Sequence, residues 1–248
     1  MKPEEINKRW TEYFDELLNE REEEEEIGGG GVLERDDEED AEDDITREEL
    51  EEAIKKMKND KAPGEDGIAV ELIKEGGDVL REKVLELLNE CWRRKEVPES
   101  WGKTIIIPIY KQKGDSGECK NYRGISLIDH IAKIYERVLE KRLREIIEPQ
   151  LGEEQHGYRK GRSTTDLMFT LRQIGEKIYE CNRMIYLVFI DLRKAFDTVP
   201  RNGLWRVLEE NYGVGRGLCD ALKSIYKVAK CNVRTGYKNE KWFGMAKE

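Results

Sequence analysis

No apolar run in this chain of 248 residues approaches the roughly 20 residues that a membrane-spanning helix requires. The opening Met1-Lys2-Pro3-Glu4-Glu5 has no apolar core of the kind a secretion signal carries. Cysteine is sparse: Cys91, Cys119, Cys181, Cys219 and Cys231 are odd in number, widely spaced and form no C-x-x-C pair. The two histidines, His130 and His156, sit in no cluster of metal-binding residues. These absences exclude a zinc-organised fold and a disulfide framework, and they point to a reducing, intracellular compartment. A glycine-rich phosphate loop is also missing. The run Gly28 to Gly31 lies among acids and lacks the following Gly-Lys-Ser/Thr.

What the chain has in excess is charge, and it is segregated. Residues 1–60 carry 9 basic and 25 acidic side chains, a net of −16; residues 61–248 carry 35 and 29, a net of +6. An acidic leader thus precedes a mildly basic body. The body can attract a polyanion, and the leader repels one.

Three segments follow from this division. Residues 1–21 place Trp10, Tyr13, Phe14, Leu17 and Leu18 at helical spacing, which predicts an amphipathic helix with an aromatic stripe. Residues 22–45 combine acid runs with glycine and read as a disordered linker. Residues 46–248 read as one folded unit. Thr46-Arg47-Glu48-Glu49 fits a capping box, ahead of a stripe of Leu50, Ala53, Ile54 and Met57. Lys61 to Ile68 is a turn-rich loop, and a helix is expected over Val79 to Arg94. Thr104 to Tyr110 predicts a strand in which Pro108 demands an edge or a bulge. Asn121 to Leu127 returns the chain, and a helix follows over Ile128 to Ile147. Gln155 to Asp166 is a basic, glycine-containing turn, and Ser163 with Asp166 caps a helix from Thr164 to Ile178. Helices after Pro200 and over Gly217 to Ala229 come next, then a strand from Cys231 to Thr235.

The stretch on which the chemistry turns is Met184-Ile185-Tyr186-Leu187-Val188-Phe189-Ile190-Asp191. An apolar run this rich in β-branched and aromatic residues predicts a buried strand. A carboxylate directly after it needs a cation, a hydrogen-bond donor or solvent. From the residues alone, Asp191 is open to two readings: a cap for the next helix, or a ligand for a catalytic metal.

Five blocks, in order, narrow that choice. They are Ala62-Pro63-Gly64-Glu65-Asp66-Gly67-Ile68; Ile107-Pro108-Ile109-Tyr110-Lys111; Asn121-Tyr122-Arg123-Gly124-Ile125-Ser126-Leu127; Gln155 to Thr164; and Phe189 to Asp197. In this order, from about Thr46 to Gly244, the chain resembles the reverse transcriptase region of LINE-like, non-LTR retrotransposons. The resemblance implies an α+β fold of the right-hand polymerase type, with fingers over about 46–183 and a partial palm over about 184–248 whose sheet holds the Met184–Leu192 strand. The implied activity is RNA-directed DNA synthesis on an RNA template with a DNA primer and deoxynucleoside triphosphates, in the nucleus or cytoplasm. Asp191 is then the implied catalytic residue and, with the carbonyl of Leu192, a ligand of Mg²⁺. Carboxylates are the hard oxygen ligands that such ions prefer. Phe196 is the implied steric gate against a 2′-hydroxyl. Lys111 and Arg123 are implied to clamp the triphosphate. Arg159, Lys160 and Arg162 are implied to contact the nucleic-acid backbone.

Two departures shape the expectation. Glu65 stands where the family has proline. The family's Tyr-x-Asp-Asp hairpin, which brings the second catalytic aspartate, does not occur in these residues. The expectation is therefore a polymerase portion that is inactive by itself; the alternative is a non-catalytic nucleic-acid-binding relic of a retroelement.

Overall fold

A computed structural model describes residues 3–19, 43–192, 199–235 and 242–244, and the fold is that of these residues. It is α+β. The helices are α1 (Pro3–Asn19), α2 (Arg47–Lys56), α3 (Val70–Glu75), α4 (Gly77–Arg94), α5 (His130–Ile147), α6 (Thr164–Glu180), α7 (Arg201–Arg206) and α8 (Arg216–Lys227). The strands are β1 (Lys103–Tyr110), β2 (Tyr122–Leu127), β3 (Lys230–Val233) and β4 (Phe243–Gly244). They form one sheet in the order β2-β1-β3-β4.

Local chemistry accounts for several of these boundaries. The Thr46 side chain accepts from the Glu49 amide, and Glu49 reaches back to the Thr46 amide, so the expected capping box opens α2. The expected apolar stripe of Leu50, Ala53, Ile54 and Met57 is buried. It packs with Val84, Leu88 and Trp92 of α4 and with Ile134, Tyr135, Val138 and Leu139 of α5 in a helical core. Each large side chain sealed there is worth about 1.5–3 kcal/mol of transfer free energy. The single helix expected over Val79 to Arg94 is preceded by a separate turn of helix, α3. Gly77 lies in the left-handed region at φ +67° and reorients the chain between the two.

The sheet carries a second, smaller core. Phe14 of α1 packs with Ile106, Cys231, Val233 and Phe243. Trp10 meets Tyr122 edge-on at 4.9 Å. The aromatic stripe of α1 is thus packing surface over the sheet. A close approach makes this possible: a Cβ on Gly124 would lie 2.9 Å from both Ile106 Cγ2 and Phe14 Cε1.

Pro108 shows how one residue edits a sheet. β1 is central in strand order, yet β3 pairs with it in parallel only from Lys103 to Ile106. The ladder closes on Arg234 N–H donating to the Ile106 carbonyl at 2.8 Å. A further parallel rung would need an amide hydrogen at residue 108, and proline has none. Beyond Ile106, β1 pairs only with β2, with Pro108 opposite Gly124. At Pro108 the strand is an edge.

The buried strand expected over Met184 to Leu192 is not observed. Those residues have no regular secondary structure, pair with no described strand, and are exposed, with Val188 at 82 %. The described sheet, which includes β3 and β4 from the expected palm range, does not include them. Apolar content favours burial, but a strand also needs neighbouring backbone to exchange hydrogen bonds with. The described sheet is built from other segments. α6 shows the same separation of local from tertiary forces. Its Ser163–Asp166 capping box forms as expected, yet none of its residues is buried, and Leu167, Met168, Phe169 and Leu171 remain exposed. The linker lies almost entirely outside the described residues, as do Phe196 and Asp197.

Candidate nucleotide and nucleic-acid interface

The β1–β2 hairpin presents the two residues expected to clamp a triphosphate. Arg123 is opposite Ile109 in the antiparallel register. Lys111 follows β1 directly, its amide donating to the Asn121 carbonyl at 2.9 Å. The Lys111 ammonium donates to the Lys120 carbonyl at 2.9 Å, which holds it at the hairpin end. Lys111, Lys120 and Arg123 all border a cleft of about 1060 Å³. Its apolar walls include Phe14 and Leu17 of α1, Trp101, Leu143 of α5 and Tyr226 of α8. The sequence expectation joined Lys111 to Arg123; the fold adds Lys120, which spacing did not single out.

The Ala62–Ile68 loop is anchored by residues that the sequence reading missed. Asp129 precedes α5, but its side chain does not cap that helix. It is buried, and its Oδ1 accepts from the Asp66 amide at 3.3 Å. Its neighbour His130, also buried, places Nδ1 2.8 Å from the Ile68 carbonyl oxygen. Asp66 Oδ1 in turn accepts from the Ile68 amide at 2.9 Å. Glu65, the departure from the family pattern, has a partner: its carboxylate lies 2.8 Å from Lys103 Nζ. That contact raises the lysine above its ordinary range, chiefly through the Glu65 hydrogen bond. A polar pair at the start of a helix was the available signal for Asp129 and His130. Capping is the local reading of such a pair, and the long-range partner decides otherwise.

Burial pushes the Asp129 carboxyl above its ordinary value, and the neighbouring Asp66 carboxylate adds to this; the Asp66 and Glu65 amides oppose it. The folded protein therefore binds this proton more tightly than the unfolded chain. The stability it contributes is complete below the ordinary carboxyl value and is lost as pH rises through the raised folded value. Asp129→Asn keeps an acceptor for the amides and cannot ionise. Urea unfolding of both proteins at pH 4 and pH 7 should show the variant gaining on the parent as pH rises. An unchanged difference between the two pH values would contradict this.

The basic turn before α6 separates the three residues grouped by sequence. Arg159 points inward, its side chain 9 % exposed. It donates to the Gly152 carbonyl at 2.6 Å and to Glu148 Oε1 at 2.8 Å. The Arg159 hydrogen bond holds Glu148 below the usual carboxylate range. Arg162 pairs with Glu153, whose carboxyl it likewise lowers. Lys160 is exposed and makes no ion pair among the described residues. Of the three, Arg159 turns furthest inward, Arg162 is half-buried beside Glu153, and Lys160 faces solvent.

Asp191 and Leu192 are exposed. No group of three His, Cys, Asp or Glu side chains that could hold a metal ion occurs among the described residues. One carboxylate and one carbonyl do not fit a pair of divalent ions, each of which wants about six oxygen ligands. The described residues therefore do not make up such a centre. All five cysteines are free thiols, and burial pushes Cys91 and Cys231 up to about 11. No helix among the described residues is long and apolar enough to cross a membrane.

Comparison with known proteins identifies this framework. The chain is 33 % identical over 164 residues to "Probable RNA-directed DNA polymerase from transposon X-element" of Drosophila melanogaster, covering 63 % of this chain and 17 % of that protein. It is 30 % identical over 194 residues to "Retrovirus-related Pol polyprotein from type-1 retrotransposable element R2" of Popillia japonica, covering 77 % and 26 %. It is 28 % identical over 193 residues to "Transposon TX1 uncharacterized 149 kDa protein" of Xenopus laevis, covering 78 % and 15 %. The chain thus spans about a quarter or less of the length of these relatives. Residues 109–246, more than half of the chain, match the family described as "Reverse transcriptase (RNA-dependent DNA polymerase)". That match begins in β1 and takes in β2, the basic turn and Asp191, and with retrotransposon relatives on every side it shows that this chain belongs to the reverse transcriptase family, among its non-LTR retrotransposon members.

Proposed function

We propose that this chain supplies the nucleotide- and template-handling portion of an RNA-directed DNA polymerase of a non-LTR retrotransposon. The observation that carries the proposal is the hairpin end, where Lys111, Lys120 and Arg123 border one cleft within a reverse transcriptase family match. Three cations there suit the phosphates of a deoxynucleoside triphosphate. Arg123 can grip two oxygens at once, and a lysine acts as a point charge. Lys160 and Arg162 suit the backbone of an RNA template or DNA primer. Arg159 supports them by fixing the turn. Phe196, as the sugar gate, belongs to the same proposal.

Reverse transcriptases generally use divalent metal ions, which when bound stabilise the charge that develops during nucleotidyl transfer. Asp191 and the Leu192 carbonyl would contribute ligands for Mg²⁺ only in company with carboxylates outside the described residues. The chain by itself should therefore bind nucleic acid without extending a primer. A second reading, a non-catalytic nucleic-acid-binding relic, draws on the same isolation of Asp191.

Both halves are testable together. Single-stranded RNA should be retarded at low salt, and Lys160→Ala with Arg162→Ala should lower the salt slope by about two. Primer extension on homopolymer RNA with Mg²⁺ should give no processive product. Absence of retardation at low salt would remove the nucleic-acid reading, and processive synthesis would remove the incomplete-site reading.

A further inference from the structure

Tyr158 directly precedes Arg159 in the basic turn. Its backbone lies in the left-handed region, at φ +60°, where a residue with a side chain is disfavoured. Its ring is also 82 % exposed, so the strained backbone is not repaid by burial. The surroundings hold it in this pose. Arg144 Nη1 donates to the Tyr158 carbonyl at 3.0 Å. The next side chain, Arg159, turns inward to the Gly152 carbonyl and Glu148. The turn closes with the Arg162 amide on the Arg159 carbonyl at 3.4 Å. Arg159 is fastened into the protein, and the left-handed residue before it carries its aromatic ring out into solvent. Lys160 is exposed two positions on, and Arg162 lies just beyond.

An exposed aromatic face beside cations is the arrangement that binds single strands without regard to sequence. Every base has a π-face to stack, and the cations follow the phosphates. We propose that Tyr158 is a stacking platform for an unpaired nucleobase of a single-stranded nucleic acid whose phosphates meet Lys160 and Arg162. This rests on the nucleic-acid reading of the turn and deepens it: the turn would hold a strand by a base as well as by its backbone.

The experiment measures binding by fluorescence anisotropy at low salt. The probes are a homopolymer RNA, a homopolymer DNA and an abasic DNA strand of equal length. The variants are Tyr158→Gly, Tyr158→Phe and the pair Lys160→Ala with Arg162→Ala. Glycine accepts the left-handed backbone without strain, so Tyr158→Gly removes the ring and keeps the turn. It should weaken binding of the base-bearing strands by about tenfold and leave the abasic strand within about twofold of the parent protein. Tyr158→Phe keeps the π-face and should stay within about twofold on all three. The Lys160/Arg162 variant should weaken all three strands. A loss confined to RNA, or shared by RNA and DNA, identifies which strand supplies the base.

Unchanged binding by Tyr158→Gly, alongside weakened binding by the lysine–arginine variant, would overturn the stacking role and leave the nucleic-acid face intact. An equal loss on the abasic strand would overturn it as well, because the ring would then act through the turn and not through a base. Failure of the parent protein to bind any strand would overturn both readings.

Discussion

Replacing Gly64 by alanine is expected to cost about 3 kcal/mol, the upper part of the range for forcing an atom into filled space. A Cβ at Gly64 would lie 2.2 Å from Asp129 Oδ1, 2.4 Å from the Asp129 amide nitrogen and 2.7 Å from the Ile128 carbonyl carbon. Two of those atoms are backbone at the start of α5 and cannot swing aside. The carboxylate is also confined, since it is buried and accepts from the Asp66 amide. Relief therefore requires the Ala62–Ile68 loop to lift away, which breaks the Asp129–Asp66 and His130–Ile68 contacts together. Gly67 provides the control. It sits at φ +69° with nothing within 4 Å of a would-be Cβ. Alanine there faces only the left-handed backbone and should cost about 1 kcal/mol. Urea unfolding of the two variants side by side checks the difference. Equal costs would show that the loop is not seated on Asp129.

Arg159→Ala is the second large effect, at about 2 kcal/mol of stability, with the loss centred on the basic turn. The figure rests on the carbonyl hydrogen bonds. Arg159 Nη1 donates at 2.6 Å to Gly152, with longer contacts to Leu151 at 3.4 Å and Gln155 at 3.3 Å. Removing a nearly buried guanidinium takes a charged donor from all three carbonyls at once. The ion pair with Glu148 adds less, because that half-buried carboxylate still reaches solvent and is also shared with Arg144 at 3.4 Å. Lysine cannot replace arginine here, since one ammonium cannot reach partners spread around a planar fork. Arg159→Lys should therefore fall closer to alanine than to the parent. Hydrogen exchange separates a structural role from a backbone-binding one. If Arg159 organises the turn, amide protection over Gly152 to Arg162 drops in the absence of nucleic acid. If the only change is weaker RNA binding, with protection intact, the structural assignment fails.

The boundary between legible and illegible features falls along one physical line. The sequence by itself determined what a few neighbouring residues can settle. The capping boxes at Thr46 and Ser163, the buried stripe of α2 and the strand positions of β1 and β2 were all readable. Each depends on hydrogen bonds or periodicity within a few residues. The edge imposed at Pro108 was readable for the same reason: a missing amide hydrogen is a property of one residue. The ordered blocks that mark the reverse transcriptase family are local strings as well.

The tertiary structure decided everything that depends on a distant partner. Arg159, Lys160 and Arg162 are near neighbours of similar charge, and only the fold turns the first inward, half-buries the third and leaves Lys160 outward. Asp129 precedes a helix and has the look of a cap, yet its partner lies 63 residues away in the Ala62–Ile68 loop. Met184 to Ile190 has the composition of a buried strand, but pairing takes a second strand, and none is paired with it among the described residues. Composition fixes how much a segment gains from burial; whether it is buried depends on which surfaces and backbone groups the rest of the fold brings to meet it.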